Sequence, residues 1–406
     1  MGLSDGGGEM KAVILAAGEG TRLRPLTISR PKVMLRVGDK PILQYAIDAL
    51  REVGIRDVVI VVGYQKERIQ TYFEDGSDFG VSITYEEQRR QLGTGHALLT
   101  ARDHLDDDFV VVPGDNILDG RMINQLLENR SDITVLVTEH AQPRKYGVVE
   151  LDGDRVSKIV EKPPRRISNL ISTGIYHFTH KFLDLLDREV GAGRFELTHA
   201  VQTAIEEGVE VKGTLTDGLW LDVVFPWDLL DLNARVLPDA ISRKAGTIED
   251  GVTITGPVSI GDGTVIRSGT YIKGPVAIGE GCEVGPSVVI YPTTSIGDNV
   301  TISPFTEIRN SVIMDNVAIG GQSYVSHSIL DEGSTIGSHF ITAAEPKLLL
   351  MENELVQIDK IGTIVGENCE ISSRVVVDAG RTIGAYCHIE ASNRISRDIP
   401  DSSRVI

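Results

Sequence analysis

The chain has 406 residues, 41% hydrophobic and 24% charged, a balance that builds buried cores and argues against disorder. Its 40 Lys and Arg against 58 Asp and Glu leave a net charge of −18, which argues against a nucleic-acid or anionic-membrane surface, since either needs a basic face. Aromatics reach only 5% while there are 42 glycines, so part of the chain is built from something regular and small-sided.

At roughly 100–200 residues per domain, two or three domains are expected. The opening MGLSDGGGEMK has no apolar signal region and reads as a short flexible lead-in. From Lys11 to about Pro238, short apolar strands alternate with amphipathic helices. Ala12-Val13-Ile14-Leu15 reads as a buried strand that ends in a Gly-rich turn. After Asp39 and Pro41, residues Ile42, Tyr45, Ala46, Ala49, Leu50 and Val53 recur at helical spacing, and Gly54 ends the helix. Strands are predicted at Val58–Val62, Val81–Tyr85 and Phe109–Pro113. The first of these is the strongest apolar run in the chain, and it is far short of the ~20 residues of a membrane span. The rhythm predicts a mostly parallel sheet with helices on both faces, whose ligands sit beyond the carboxyl ends of the strands. Asp228–Pro238 reads as a linking helix.

Beyond Gly246 the pattern changes. Ile248, Ile254, Ile260, Ile266, Ile272, Ile278, Val284, Ile290, Ile296, Ile302 and Ile308 recur every six residues, and Val365, Ile371, Val377, Ile383, Ile389 and Ile395 resume in a new phase. Neither a strand nor a helix has this period; a hexapeptide parallel β-helix over 246–406 does, with Gly, Asp and Asn at its corners. A stretch at about 338–362 breaks the period and reads as a loop or arm, in which Lys347-Leu348-Leu349-Leu350-Met351 is helical or hairpin-like. Cys282, Cys369 and Cys387 are odd in number and form no CxxC pair, as expected of reduced thiols in a cytoplasmic protein.

The strongest chemical signal is Leu15-Ala16-Ala17-Gly18-Glu19-Gly20-Thr21-Arg22-Leu23-Arg24-Pro25-Leu26-Thr27, followed by Pro31-Lys32-Val33-Met34. A small-residue loop directly after a strand lets backbone N–H groups close on phosphate oxygens, with Arg22 as a planar fork and Lys32 as a point charge. The plain alternative is a turn whose Arg and Lys face water.

This signature resembles that of the sugar-1-phosphate nucleotidylyltransferases, over Lys11 to about Leu237, and the hexapeptide tail is common in that family. The resemblance implies a Rossmann-like α/β nucleotidyltransferase domain (11–238) followed by a left-handed parallel β-helix. It implies that Leu15, Ala17, Gly18, Gly20 and Thr21 hold the nucleotide. Gln88 and the run Gln91-Leu92-Gly93-Thr94-Gly95-His96-Ala97 look like the segment that reads uracil or thymine, and QLGTGHA is especially similar to the UDP-N-acetylglucosamine pyrophosphorylases. Gly93 and Thr94 are therefore expected at the nucleotide. Asp115 resembles the metal-binding Asp, and Trp220-Leu221-Asp222 the element with the second metal ligand. Elements around Gly147, Glu161-Lys162 and Ser172 resemble those that hold the sugar phosphate.

The chemistry agrees with these roles. The sugar phosphate is itself the nucleophile, so the enzyme positions and neutralises. Asp115 and Asp222 could hold Mg²⁺ between both substrates, and Arg22 and Lys32 could stabilise the triphosphate and the departing pyrophosphate. Lys162 would hold the sugar phosphate and Glu161 would accept a sugar hydroxyl. His96 reads as packing or a helix-end hydrogen bond rather than catalysis. His199 stands where family members often have Asp, and Trp220 and Trp227 read as core packing.

In some relatives the β-helix acetylates glucosamine 1-phosphate with acetyl-CoA. Ser323-Tyr324-Val325 resembles part of that site, but Gly321-Gln322 and Ala344 stand where the general base and its amide partner are expected. His327 or His339 could substitute. The tail reads more readily as an assembly or regulatory module, with a homo-oligomer, such as a trimer, built through it. The expected activity is Mg²⁺-dependent transfer of a uridylyl or thymidylyl group to a hexose 1-phosphate. The alternatives are a bifunctional enzyme with acetyltransferase activity and a non-catalytic regulatory paralogue.

Overall fold

The computed structural model describes residues 10–239, 243–351 and 354–406. The N-terminal lead-in thus lies almost wholly outside the described residues. These residues divide into two compact units. The first takes in the described part of Met1–Glu19, with Arg30–Met34 and Pro41–Asp222; the second comprises Gly20–Ser29, Leu35–Lys40 and Val223–Ile406.

The first unit opens with β1 (Lys11–Ala16), α1 (Ile42–Glu52), β2 (Asp57–Val62), α2 (Lys66–Phe73), β3 (Ser82–Glu87), α3 (Thr94–Thr100) and β4 (Phe109–Pro113). It continues with β5 (Asn116–Leu118), α4 (Gly120–Glu128), β6 (Ile133–Glu139), β7 (Gly147–Asp152), β8 (Arg155–Glu161) and β9 (Leu170–Phe178). It closes with α5 (Phe182–Gly191), α6 (Leu197–Glu206), β10 (Val211–Leu215) and β11 (Trp220–Asp222). Nine strands form one sheet in the order β3-β2-β1-β4-β9-β6-β10-β8-β7.

β1 is apolar almost throughout because it lies between parallel neighbours with both faces covered, Val13 pairing with Val59 of β2 and Val111 of β4. Successive side chains alternate between two cores. Val13, Val59 and Val111 pack with Leu98 of α3, Leu186 of α5 and Val201 of α6. Ile14, Ile60 and Val112 pack on the other face with Ile47 of α1, Phe73 of α2 and Ile123 of α4. Helices therefore cover both faces, as the βαβ rhythm predicts. Strands β3 to β4 are parallel; beyond them β9 runs antiparallel to β4 and β6, and β7 and β8 form an antiparallel pair.

In the second unit, α7 (Asp228–Val236) fills the place of the predicted linking helix. The Asp228 carboxylate accepts from the backbone N–H groups of Val224 and Phe225 at 2.9 and 2.7 Å, fixing the entry to the helix. Asn233, fully buried, accepts from the N–H of Gly38 at 2.9 Å and donates to the carbonyl of Thr293 at 3.0 Å. Arg36 donates to Asp298 at 2.7 Å and Asp315 at 2.9 Å. The buried Glu367 accepts from the hydroxyls of Ser29 and Tyr386. The segments 20–29 and 35–40 are in this way fastened to the solenoid and to α7.

The solenoid consists of three parallel sheets of nine, eight and seven strands, an arrangement consistent with a left-handed β-helix. One aliphatic column lines each face inside: Ile266, Val284 and Ile302; Ile272, Ile290 and Ile308; Ile260, Ile278 and Ile296. At one repeating corner, Gly281, Asn299 and Asn316 all take left-handed backbone (φ 64°, 56° and 60°), which Gly and Asn reach most readily. The period stops at Ile308 because the next inward residue is Ile313, and Val325 is likewise followed by Leu330. Both shortened steps fall at the corner where the predicted arm is inserted later. That arm is an antiparallel hairpin of Glu345–Met351 and Glu354–Ile361.

The three cysteines are free and buried. Their thiols donate to carbonyls in the adjoining coil, Cys282 to Gly297, Cys369 to Gly384 and Cys387 to Pro400. Burial pushes the Cys369 thiol up to about 12, so it stays protonated and inert at neutral pH. Among the described residues no helix is long and apolar enough to cross a membrane.

Candidate active site

β4 ends at Pro113, and the N–H of Gly114 donates to the carbonyl of Leu15 at 2.9 Å, turning the chain over the end of β1. A Cβ on Gly114 would lie 3.1 Å from side-chain atoms of Ala16 and Ile14, a tight contact that a larger residue could make only if those neighbours gave way slightly. Asp115 comes next. The short strands β5 and β11 pair antiparallel with Asp222 opposite Asn116, which brings a carboxylate from far along the chain beside Asp115. Lys32 stands on a short helical turn whose neighbour Val33 is anchored in the core. Its ammonium donates to Asp115 Oδ2 at 2.7 Å and to Asp222 Oδ1 at 3.0 Å. Burial alone would lower the pKa of Lys32; the charges of Asp115 and Asp222 outweigh it and hold the group above its usual 10.5. Tyr146 donates its hydroxyl to the other oxygen of Asp222 at 3.3 Å, and its ring packs edge-on against Trp220. Two carboxylates that converge on one atom could hold a single divalent cation; no cluster of three or more His, Cys, Asp or Glu side chains is present among the described residues.

A second group forms where β7 and β8 pair. Gly147 lies opposite Glu161, and a Cβ on Gly147 would meet Thr198 at 2.8 Å. Glu161 accepts from the Thr198 hydroxyl at 3.1 Å and pairs with Lys162 at 3.1 Å. Ser172 on β9 donates to the Tyr176 hydroxyl at 2.8 Å.

A third group surrounds the start of α3. The Gln91 side chain donates to the carbonyl of Ala17 at 2.7 Å, tying the turn after β1 to the loop before α3. Gln88, buried, donates its amide N–H groups to the carbonyl of Gly93 and to His96. Thr94 N–H and hydroxyl both reach the Glu196 carboxylate, at 3.2 and 2.8 Å. A Cβ on Gly18 would meet nothing within 4 Å, so packing does not require its bare backbone.

The structure thus brings Lys32, Asp115 and Asp222 together, groups Gly147 with Glu161 and Lys162, and gathers Gln88, Gly93 and Thr94 at one helix start. Gly20, Thr21 and Arg22 belong to the second unit, where Gly20 is left-handed at φ 74° and its carbonyl accepts from the buried Thr27 hydroxyl at 2.9 Å. Arg22 is exposed on the turn Thr21–Leu23. Tyr146, Glu196 and Thr198 lie on segments that the sequence marks, but their hydrogen bonds to Asp222, Thr94 and Glu161 join residues far apart in the chain and carry no sequence signal.

The family description Nucleotidyl transferase matches residues 11–238, and GMPPB C-terminal domain matches residues 272–392. The chain belongs to the nucleotidyl transferase family. The resemblance to sugar-1-phosphate nucleotidylyltransferases stands. The chain is 43% identical to "Bifunctional protein GlmU" of Methanococcus maripaludis strain C7, over 98% of this chain and 97% of that protein. It is 35% identical to "Glucose-1-phosphate thymidylyltransferase" of Streptomyces antibioticus, over 89% and 94%. A crystal structure described as a Bacillus anthracis glucose-1-phosphate thymidylyltransferase in complex with sucrose matches with a TM-score of 0.53 at 28% identity. That match covers 58% of this chain and 98% of the other.

Proposed function

We propose that this nucleotidyl transferase joins a nucleoside triphosphate, UTP or dTTP, to a hexose 1-phosphate and releases pyrophosphate. Glucose 1-phosphate and N-acetylglucosamine 1-phosphate are the sugars first expected. The observation that carries the reading is the half-buried Lys32 ammonium shared by Asp115 and Asp222 at the ends of strands. A hard cation such as Mg²⁺ fits this pair, since it takes one or two protein carboxylates and fills its shell with substrate phosphates. When bound it would offset phosphate charge between the two substrates.

In this reading residues 11–238 are the transferase domain and 246–406 the β-helix. Leu15, Ala17, Gly18, Gly20 and Thr21 hold the nucleotide phosphates by backbone groups, with Arg22 and Lys32 supplying positive charge where pyrophosphate leaves. Gln88, Gly93 and Thr94 face the base. Lys162 binds the sugar phosphate; Glu161, oriented by Thr198, accepts a sugar hydroxyl, and Gly147 and Ser172 line that place. Tyr146 steadies Asp222. Assembly through the β-helix into a homo-oligomer, such as a trimer, and a cytoplasmic location complete the proposal.

The test is pyrophosphate release from a matrix of UTP, dTTP and GTP against glucose, N-acetylglucosamine and galactose 1-phosphates, with and without Mg²⁺. Asp115→Ala is expected to lose about 100-fold or more. Full turnover by that variant would remove the metal-ligand assignment, and no turnover by the wild type would favour a non-catalytic paralogue.

A second reading, acetylation of glucosamine 1-phosphate by the β-helix, is favoured by the word "bifunctional" in relatives that match over nearly their whole length. His327 is weakened as a base: burial, then Lys360 and Arg309, lower it to about 4. Release of CoA from acetyl-CoA in the presence of glucosamine 1-phosphate decides this point.

A further inference from the structure

Gln88 is held at three points. Its backbone N–H donates to the carbonyl of Val62 at the end of β2, at 2.8 Å. Its side-chain Nε2 donates to the carbonyl of Gly93 at 3.0 Å and lies 2.9 Å from His96 Nδ1. A carbonyl can only accept, so the nitrogen end of the amide must face Gly93. An amide nitrogen can only donate, so His96 Nδ1 must accept, which fixes the imidazole as the neutral tautomer with its proton on Nε2. Both amide hydrogens are then committed. The oxygen Oε1 accepts from no described residue and is not sealed from solvent.

His96 is itself fixed. Its backbone N–H donates to the Phe195 carbonyl at 3.2 Å, and its ring stands edge-on to the Phe195 ring with centroids 6.4 Å apart. The imidazole is therefore a set acceptor rather than a mobile side chain. Without it, one amide hydrogen would lose its partner, and the amide could turn to offer N–H where it now offers oxygen.

We propose that His96 is a positioning residue: by accepting from Gln88 Nε2 it locks Oε1 outward, so the site accepts a pyrimidine with a ring N3–H, uracil or thymine, and rejects cytosine. Cytosine carries a bare acceptor at N3, which would face Oε1 lone pair to lone pair. The inference rests on the reading that Gln88 faces the base and adds what determines its polarity. A site built to pair with one ring N–H rejects an analogue lacking it far more strongly than a shape change does.

The experiment measures equilibrium binding of UTP, dTTP, CTP and dCTP to the full chain with Mg²⁺, so that it does not depend on which sugar is used. The wild type is expected to prefer UTP over CTP by about 100-fold or more. His96→Phe keeps the ring and removes the acceptor, and is expected to bring the preference down by about tenfold or more. His96→Asn restores an acceptor near the Nδ1 position and is expected to keep most of the preference. His96→Gln, whose acceptor lies further out, serves as the second loss variant should His96→Phe fail to fold. An unchanged ratio in the loss variants, with a collapsed ratio in Gln88→Leu, overturns the role of His96 alone. An unchanged ratio in Gln88→Leu overturns the base-facing reading, and this proposal with it.

Discussion

Tyr146 and Lys32 divide Asp222 between them: the tyrosine hydroxyl reaches Oδ2 at 3.3 Å and the ammonium reaches Oδ1 at 3.0 Å. The carboxylate is thereby fixed in its plane before any substrate arrives. Tyr146→Phe removes one of these contacts and leaves the ring packing on Trp220 intact. A hydrogen bond of this kind contributes about 1 kcal/mol, so kcat/KM is expected to fall by about two- to tenfold with little change in melting temperature. Steady-state kinetics beside a thermal melt checks both parts.

Lys32→Met leaves Asp115 and Asp222 facing each other without the cation between them. Activity is expected to fall by about 100-fold or more, and stability by about 1–3 kcal/mol at neutral pH. The raised pKa of Lys32 means that its charged form favours the folded state at every pH below its ordinary 10.5. That contribution fades only as pH rises beyond this value. The stability gap between wild type and variant should stay level from about pH 7 to about pH 9 and narrow only in stronger alkali. Denaturant titrations across that range measure it.

Gly93→Ala places a methyl group 2.6 Å from the Phe195 carbonyl oxygen and 2.9 Å from its Cβ. Neither neighbour is the end of a flexible chain, so the loop itself must shift. A loss of about 1–3 kcal/mol is expected. Because the Gly93 carbonyl also holds Gln88, affinity for UTP should fall further than stability alone accounts for. Isothermal titration of the folded variant separates the two effects.

Arg36→Ala removes the guanidinium that joins Asp298 and Asp315, which lie on successive coils. The two carboxylates then repel, and the second unit is expected to lose about 1–2 kcal/mol, less at high salt. A cycle with Asp298→Asn should show strong non-additivity in thermal unfolding.

Much of this architecture was readable in advance, and where reading stopped there is a physical cause. The period of six is local, so Ile248 to Ile308 announced the solenoid without any contact being known. It failed at Ile313 because a corner lost a residue, which changes the phase while keeping the inward column. The αβ alternation announced the parallel strands, but nothing local distinguishes an antiparallel partner such as β9 from a parallel one. At the site, motif residues marked Lys32, Asp115 and Asp222, and β5–β11 pairing supplied the closeness that no spacing could. Gln88 and His96 were visible as letters of one motif. That one fixes the other's amide depends on which atoms face each other, and spacing carries no such information.

The chain passes between its two units at five points, after Glu19, Ser29, Met34, Lys40 and Asp222. No single cut therefore separates them. A protein ending after α7 would keep every letter of the signature yet lose the coils to which Ser29 and Arg36 are fastened. The segment carrying Arg22 would then have to order itself with fewer of the contacts that now hold it. Melting the solenoid should loosen that arginine's loop before it loosens the sheet, so heat inactivation of the transfer reaction would report first on coils that hold none of the residues proposed for that reaction.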